Sequence, residues 1–255
     1  MSQESGRNEP RPGQLLGRRG LAALLGGCAP PPGRPASSAY IRPGEAQRFL
    51  GASGAEGAAW WERLRRAKRT LLTSDTGIVA LRAGCQALVI VPPFPLSETF
   101  LVPTWDVSSL LTQLEAEYTI GVVLLRLGRF SVAVYEGEKL LSSKTDARYV
   151  KGRHHAGGTS QKRFQRIREG QVQRLYDKTC QAAQAQFGPV SDRLDYVLLG
   201  GDRFTLDGFL KACPCMERWR DKTLARRLNV RDPKRDTLQG VAGMLNESRV
   251  YPLEW

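Results

Sequence analysis

Residues 119–145 read Thr-Ile-Gly-Val-Val-Leu-Leu-Arg-Leu-Gly-Arg-Phe-Ser-Val-Ala-Val-Tyr-Glu-Gly-Glu-Lys-Leu-Leu-Ser-Ser-Lys-Thr. Ile120–Leu127 is an apolar run of strand length, and Gly128-Arg129 supplies a two-residue hairpin turn. Phe130–Tyr135 then alternates, with Phe130, Val132 and Val134 on one face. Glu136-Gly137-Glu138 turns the chain again and Lys139–Thr145 makes a third strand. The pattern predicts an antiparallel meander.

Downstream, no proline occurs from Gln161 to Gly188. Phe164, Ile167, Val172, Leu175, Thr179, Ala183 and Phe187 fall near a 3.6-residue period, one stripe expected to be buried. They predict one long helix of roughly 40 Å, with Thr159 or Ser160 capping its start and Gly188-Pro189 ending it. Tyr196–Leu199 reads as a buried strand closed by Gly200-Gly201-Asp202, and Thr205–Ala212 as a short helix. Helical stretches near 217–228 and 235–245 precede a strand-like Arg249–Trp255. The order β-β-β-loop-α-β-α-α predicts an α/β fold, a mixed sheet with helices packed on it.

Upstream, residues 38–117 read as a small α/β module. Pro43–Leu50, Ala58–Leu72 and Trp105–Tyr118 have helical spacing, and Ile78–Leu81 and Ala87–Val91 look like strands. Residues 1–37, rich in Gly, Pro, Arg and Ser, read as a disordered basic tail. Arg18-Arg19 before Leu21–Leu25 and Cys28 imitates a secretion leader, but five apolar residues fall short of the usual stretch of about 7–15. The third segment, residues 118–255, carries the meander and the long helix.

Apolar residues make up 41% of the 255, enough for packed cores. No run reaches the roughly 18 apolar residues of a membrane span, so no membrane is expected. The five cysteines at 28, 85, 180, 213 and 215 are scattered and odd in number. They suit a reducing cytoplasm better than a disulfide framework. Net charge is +13, which favours RNA, DNA or an anionic surface as partner. Residues 148–178 hold nine Lys/Arg against two acids, a net charge of +7. Charge this concentrated is the footprint of a polyanion.

Inside that stretch lies Lys151-Gly-Arg-His-His-Ala-Gly-Gly-Thr-Ser-Gln161. A loop so rich in glycine either stays exposed or docks into a partner. Its N–H groups and the adjoining helix N-terminus can face an oxyanion or a phosphate. Gln161 offers one acceptor and two donors without charge, so it can orient a water against an ester carbonyl but cannot act as a strong base. The chemistry alone equally permits a mobile basic surface loop.

Other signals read as structural. His154 and His155 are the only histidines and have no companions for a metal. RNA contact or solvent exposure is their expected role. Cys213-Pro214-Cys215 has no second pair nearby, so all five cysteines read as structural thiols and no metal is expected. Gly200-Gly201-Asp202 lacks the full phosphate-loop signatures and reads as a strand-end turn. An acidic metal site would need Asp195, Asp202 and Asp207 to converge. Residues 211–235 carry nine Lys/Arg and three acids, either a solvated face or a second contact to RNA backbone.

A glycine-tipped loop ending in glutamine, after a meander and before a basic helix, resembles the catalytic domain of eukaryotic and archaeal class-one termination factors. Those carry Gly-Gly-Gln, whereas here two residues intervene in Gly157-Gly158-Thr159-Ser160-Gln161. That spacing is more similar to the VLRF type, release-factor-like peptidyl-tRNA hydrolases related to the enzyme of ribosome-associated quality control. Lys151-Gly-Arg, Ala156-Gly-Gly, Ser160-Gln and Arg163-Phe resemble its bacterial members, over about residues 119–255. The resemblance implies an RNase-H-like core and hydrolysis of the peptidyl-tRNA ester at the peptidyl-transferase centre of the large ribosomal subunit. It implies Gln161 as catalytic glutamine and Gly158 as its paired glycine. Lys151, Arg153, His154, His155, Gly157, Thr159, Ser160, Lys162, Arg163 and Arg166 would contact ribosomal RNA or tRNA. A cytoplasmic monomer without cofactor is expected. Cleavage near the tRNA 3′ CCA end by the same loop, or blocking of the ribosome without chemistry, are the alternatives. The loss of strict Gly-Gly-Gln argues against stop-codon termination.

Overall fold

The structure, a computed structural model, describes residues 10–67, 69–150, 152 and 159–255. The chain divides into two compact units, residues 1–116 with 245–255 and residues 117–244.

The first unit contains β1 (Gln14–Leu16), α1 (Arg18–Cys28), β2 (Ala36–Ile41), α2 (Ala46–Ala52), α3 (Gly54–Ala67), α4 (Arg69–Leu72), β3 (Ile78–Ala83), β4 (Gln86–Val91), β5 (Phe100–Val102) and α5 (Ser108–Glu115). A strand from the far end of the chain, β11 (Ser248–Glu254), completes its sheet, in the order β1-β11-β4-β3-β2-β5. Strand alternation sorts two cores. Val79, Leu81 and Ile90 pack with Leu21, Leu24 and Leu25 of α1 and Leu110 and Leu114 of α5. Ile78, Ala80 and Val89 pack with Leu50, Trp60 and Leu64 of α2 and α3.

Two expectations fail here. Residues 10–37 are not a disordered tail, because Leu21, Leu24 and Leu25 stand at i, i+3 and i+4 and form a buried stripe. The short apolar run read as a failed leader is the inner face of α1. The segment 118–255 is also not one piece, since β11 pairs with β1 and β4 in the first unit's sheet.

The second unit opens with β6 (Thr119–Arg126), β7 (Arg129–Glu136) and β8 (Lys139–Ala147), followed by α6 (Thr159–Phe187). Then come β9 (Tyr196–Gly201), α7 (Arg203–Ala212), a 3-10 stretch (Pro214–Lys222), β10 (Thr223–Leu228) and α8 (Arg235–Leu245). The sheet order is β10-β9-β6-β7-β8. The first three strands in sequence are antiparallel, and β9 and β10 run parallel to β6. This is the mixed α/β arrangement expected from the sequence. The first hairpin turn is Leu127-Gly128, one residue before its expected place, because Gly128 supplies the positive φ of +100° at the second turn position. Residues 223–228 form a strand where helix was expected.

β6 and β7 are buried on both faces. Val123, Leu125, Phe130, Val132 and Val134 meet Leu175, Ala183 and Phe187 of α6 and Leu206 and Phe209 of α7. On the opposite face the Ser131 hydroxyl donates to the Pro233 carbonyl at 2.9 Å and the Tyr135 hydroxyl to the Leu238 carbonyl at 2.8 Å. A Cβ at Gly121 would lie 2.8 Å from Cζ of Phe187, so the bare backbone of β6 is what lets the end of α6 come down onto the sheet.

Candidate nucleic-acid interface and reacting end

The chain leaves β8 with the Arg148 N–H donating to the Gly128 carbonyl at 2.8 Å, and Val150 packs at the edge of the core. Lys151, Arg153, His154, His155, Gly157 and Gly158 lie outside the described residues. Gly152 is exposed. Thr159, Ser160 and Gln161 are the first three residues of α6. Gln161 therefore belongs to the first turn, where backbone N–H groups have no carbonyl four residues back and carry the positive end of the helix dipole. No acidic residue stands in that turn.

Lys162, Arg163 and Arg166 follow on the exposed surface. Arg163 and Arg166, three residues apart, share a helix face. The only acid in the next two turns is Glu169, which accepts from the Gln165 amide at 2.9 Å. Phe164 and Ile167 were expected inside and are instead 42% and 40% exposed. Helical spacing aligned them with the buried stripe, but the core packing of α6 starts only at Val172. Burial begins further along, with Leu175, Tyr176, Thr179, Ala182, Ala183 and Phe187. Thr179 is tied by its hydroxyl donating to the Leu175 carbonyl at 2.8 Å. Phe187 meets the Trp219 ring edge-on at 5.3 Å, and the indole N–H donates to the Ser191 hydroxyl at 3.1 Å.

The second basic run is differently engaged. Arg227 pairs with Asp207 at 3.0 Å, Arg220 with Glu217 at 3.3 Å and Lys234 with Asp232 at 2.9 Å. The Lys222 ammonium donates to the carbonyls of Ser191 and Leu194, and Arg226 donates to that of Met244. Lys222 and Arg226 thus tie backbone segments together, whereas the ion pairs of Arg220, Arg227 and Lys234 lie on the surface and contribute little.

The three aspartates do not converge. The Asp195 carboxylate accepts from the Thr119 N–H at 2.7 Å. Asp202 caps α7, accepting from the Thr205 N–H at 2.9 Å and its hydroxyl at 2.8 Å. These hydrogen bonds hold its carboxyl below the usual range. Gly200-Gly201-Asp202 is thus a strand end feeding a helix cap. At Gly201, φ is +125° and a side chain would collide with the Leu125 carbonyl.

One constellation escaped sequence reasoning. Cys180 and Cys213, separated by 33 residues, form a disulfide, and Cys215 lies beside both. The expectation of unconnected structural thiols is corrected here: two of the three sulfurs are joined, and all three lie within 4.8 Å of one another. The available signal was Cys-x-Cys just past the end of the expected short helix Thr205–Ala212.

A family model described as Actinobacteria/chloroflexi VLRF1 release factor matches residues 118–251. The chain belongs to this family. Peptide chain release factor subunit 1 of Methanopyrus kandleri is 28% identical over 163 residues, 58% of this chain and 38% of that protein. The protein of the same name from Pyrobaculum aerophilum is 30% identical over 139 residues, 54% of this chain and 36% of that protein. The chain thus spans little more than a third of either relative. The crystal structure of the archaeal translation termination factor aRF1 superposes with a TM-score of 0.39 at 16% identity, covering 90% of this chain and 72% of that one. Among the described residues no helix is long and apolar enough to cross a membrane.

Proposed function

We propose that this protein is a ribosome-associated peptidyl-tRNA hydrolase that frees nascent chains from stalled ribosomes or large subunits in the cytoplasm. The observation that carries the reading is the position of Gln161. In a member of the VLRF1 release factor family, it stands in the first turn of α6, directly after the glycine-rich segment and directly before an exposed cationic face. Lys162, Arg163 and Arg166 would lie on RNA phosphates, with Lys151 and Arg153 before the glycines. His154, His155, Gly157, Thr159 and Ser160 would line the RNA around the reacting end.

The Gln161 amide, with Gly158 as its paired glycine, would hold a water against the ester carbonyl. Attack forms the new carbon–oxygen bond and breaks that between the acyl carbon and the tRNA 3′ oxygen. The products are a peptide acid and an intact tRNA. The positive helix end favours the oxyanion formed on the way. Positioning, rather than proton abstraction by the neutral amide, supplies the acceleration.

The test is peptide release by the purified protein from stalled ribosome–nascent-chain complexes and from large subunits carrying peptidyl-tRNA. Gln161→Ala should lower the rate by roughly 10²-fold or more while binding is kept. Released tRNA with an intact CCA end supports ester hydrolysis, whereas a shortened end would replace it with strand cleavage. Binding without release by the unmodified protein would make it a non-catalytic ribosome factor and sink the enzymatic reading.

A further inference from the structure

Cys180 lies in the packed half of α6, on the flank of the stripe formed by Tyr176, Thr179 and Ala183. Cys213 and Cys215 stand on either side of Pro214, where α7 gives way to the 3-10 stretch. The stacking that joins these elements is core packing: Tyr176 lies against Phe209 of α7, and Phe187 against Trp219 of the 3-10 stretch. Cys213 is buried, while Cys180 and Cys215 are half-buried. All three sulfurs lie within 4.8 Å of one another.

Two of the three form the Cys180–Cys213 bond, and that bond has no use for a third cysteine. The Cys215 sulfur is 3.2 Å from that of Cys180 and 3.3 Å from that of Cys213. A thiolate that attacks a disulfide enters along the sulfur–sulfur axis, so it stands about 2 Å nearer one sulfur than the other. Cys215 is equidistant and to the side, which is poor geometry for exchange. The same triangle is a ready face for a cation. Zinc–sulfur bonds of about 2.3 Å at tetrahedral angles place thiolates about 3.8 Å apart. Opening the disulfide and widening the two gaps to Cys215 by about half an ångström reaches that spacing. Among the described residues the group contains sulfur alone, a donor set selective for a soft d¹⁰ ion over a hard one.

We propose that the reduced protein binds a zinc(II)-class ion through Cys180, Cys213 and Cys215, and that the Cys180–Cys213 disulfide is the oxidised, metal-free state of the same site. The fourth position is open to solvent on the half-exposed side. Going one way, a dithiol reductant gives two electrons and two protons to the disulfide and itself becomes a cyclic disulfide. The three thiols then release three protons to solvent as their sulfurs bind the ion. Going the other way, a peroxide takes two electrons from the thiolates of Cys180 and Cys213. The sulfur–sulfur bond forms, the peroxide is reduced to two waters with protons from solvent, Cys215 regains its proton and the ion leaves. The site is about 28 Å along α6 from Gln161, so it fastens the far part of the helix and takes no part in the proposed ester chemistry.

The experiment uses the full chain with Cys28→Ser and Cys85→Ser, so that only three thiols remain. The protein is reduced anaerobically, freed of reductant and titrated with cobalt(II), then zinc(II). One equivalent of cobalt should produce sulfur-to-cobalt charge-transfer absorption that zinc abolishes. Hydrogen peroxide should then release the zinc and lower the titratable thiols from three to one. Cys215→Ser in this background should still form the disulfide but bind cobalt at least tenfold more weakly. No thiolate absorption with cobalt in the reduced three-thiol protein overturns the proposal. So does a Cys215→Ser variant that binds as tightly as its parent.

Discussion

Beyond Val172, α6 turns Leu175, Thr179, Ala183 and Phe187 onto a sheet; before it, Lys162 to Gly170 leave nothing buried. Both parts share one helical period and both contain large apolar side chains. They differ in what lies opposite. The helix has 29 residues and runs about 43 Å, whereas the eight residues of β7 span about 26 Å. A helix longer than the strands beneath it must overhang. Periodicity says which side chains share a face; only the extent of the partner surface says which of them are covered. In this molecule the overhang carries the cations and ends at Gln161, so the uncovered part is the part available to another molecule.

Four variants sharpen or break this contrast. Phe187→Ala should destabilise the second unit by about 3–5 kcal/mol in a urea titration, because it empties the space between Gly121 and Trp219. Reversing charge with Arg163→Glu and Arg166→Glu should weaken binding to large ribosomal subunits. It should also reduce the slope of log affinity against log salt by about 1.8, if each arginine neutralises one phosphate. An unchanged slope in light-scattering titrations would leave the overhang without a docking role.

Asp202→Ala removes the cap of α7 and should cost about 1 kcal/mol. The Asp202 carboxyl is held below its unfolded value by Thr205. Its contribution is therefore present above the unfolded pKa of about 3.9 and lost as pH falls through the lower folded one. The variant should lack that portion of the acid dependence. Phe164→Ala, at a ring that is 42% exposed, should cost less than Phe187→Ala, whose ring is fully buried. A loss comparable to that of Phe187→Ala would mean that the overhang is packed after all.

The meander was legible because its apolar runs and glycine turns fit only strand geometry, and the helix because 28 residues, Gln161 to Gly188, pass without proline. β10 was not, since Leu224 and Leu228 sit four apart, a spacing that serves a helix face and a strand face alike. What settles it is parallel pairing to β9, a contact that leaves no local mark. α1 was hidden by its neighbours: glycines and prolines on both sides resemble a disordered tail, and only the partners of Leu21, Leu24 and Leu25 reveal the helix. Of the candidate site, charge and glycine content pointed to the region. The choice of Gln161 came from resemblance to a family, because an amide's role in positioning has no periodic or compositional trace. The sulfur triangle needed the tertiary packing of α6 on α7 to exist at all.

The placement of β11 has a consequence for how this chain is born. Residues 248–254 fill the slot between β1 and β4, so β1 has no neighbour in its sheet until they arrive. The second unit, by contrast, is made from one uninterrupted stretch, residues 117–244. During vectorial synthesis the segment emitted second can therefore finish folding first, while the segment emitted first waits with an open β4 edge for a partner made more than 150 residues later. An unfilled strand edge is a surface on which chains join one another. Clipping the chain before residue 248 should thus act first on solubility, through the older half of the molecule, and leave the inserted half as a separable folding unit.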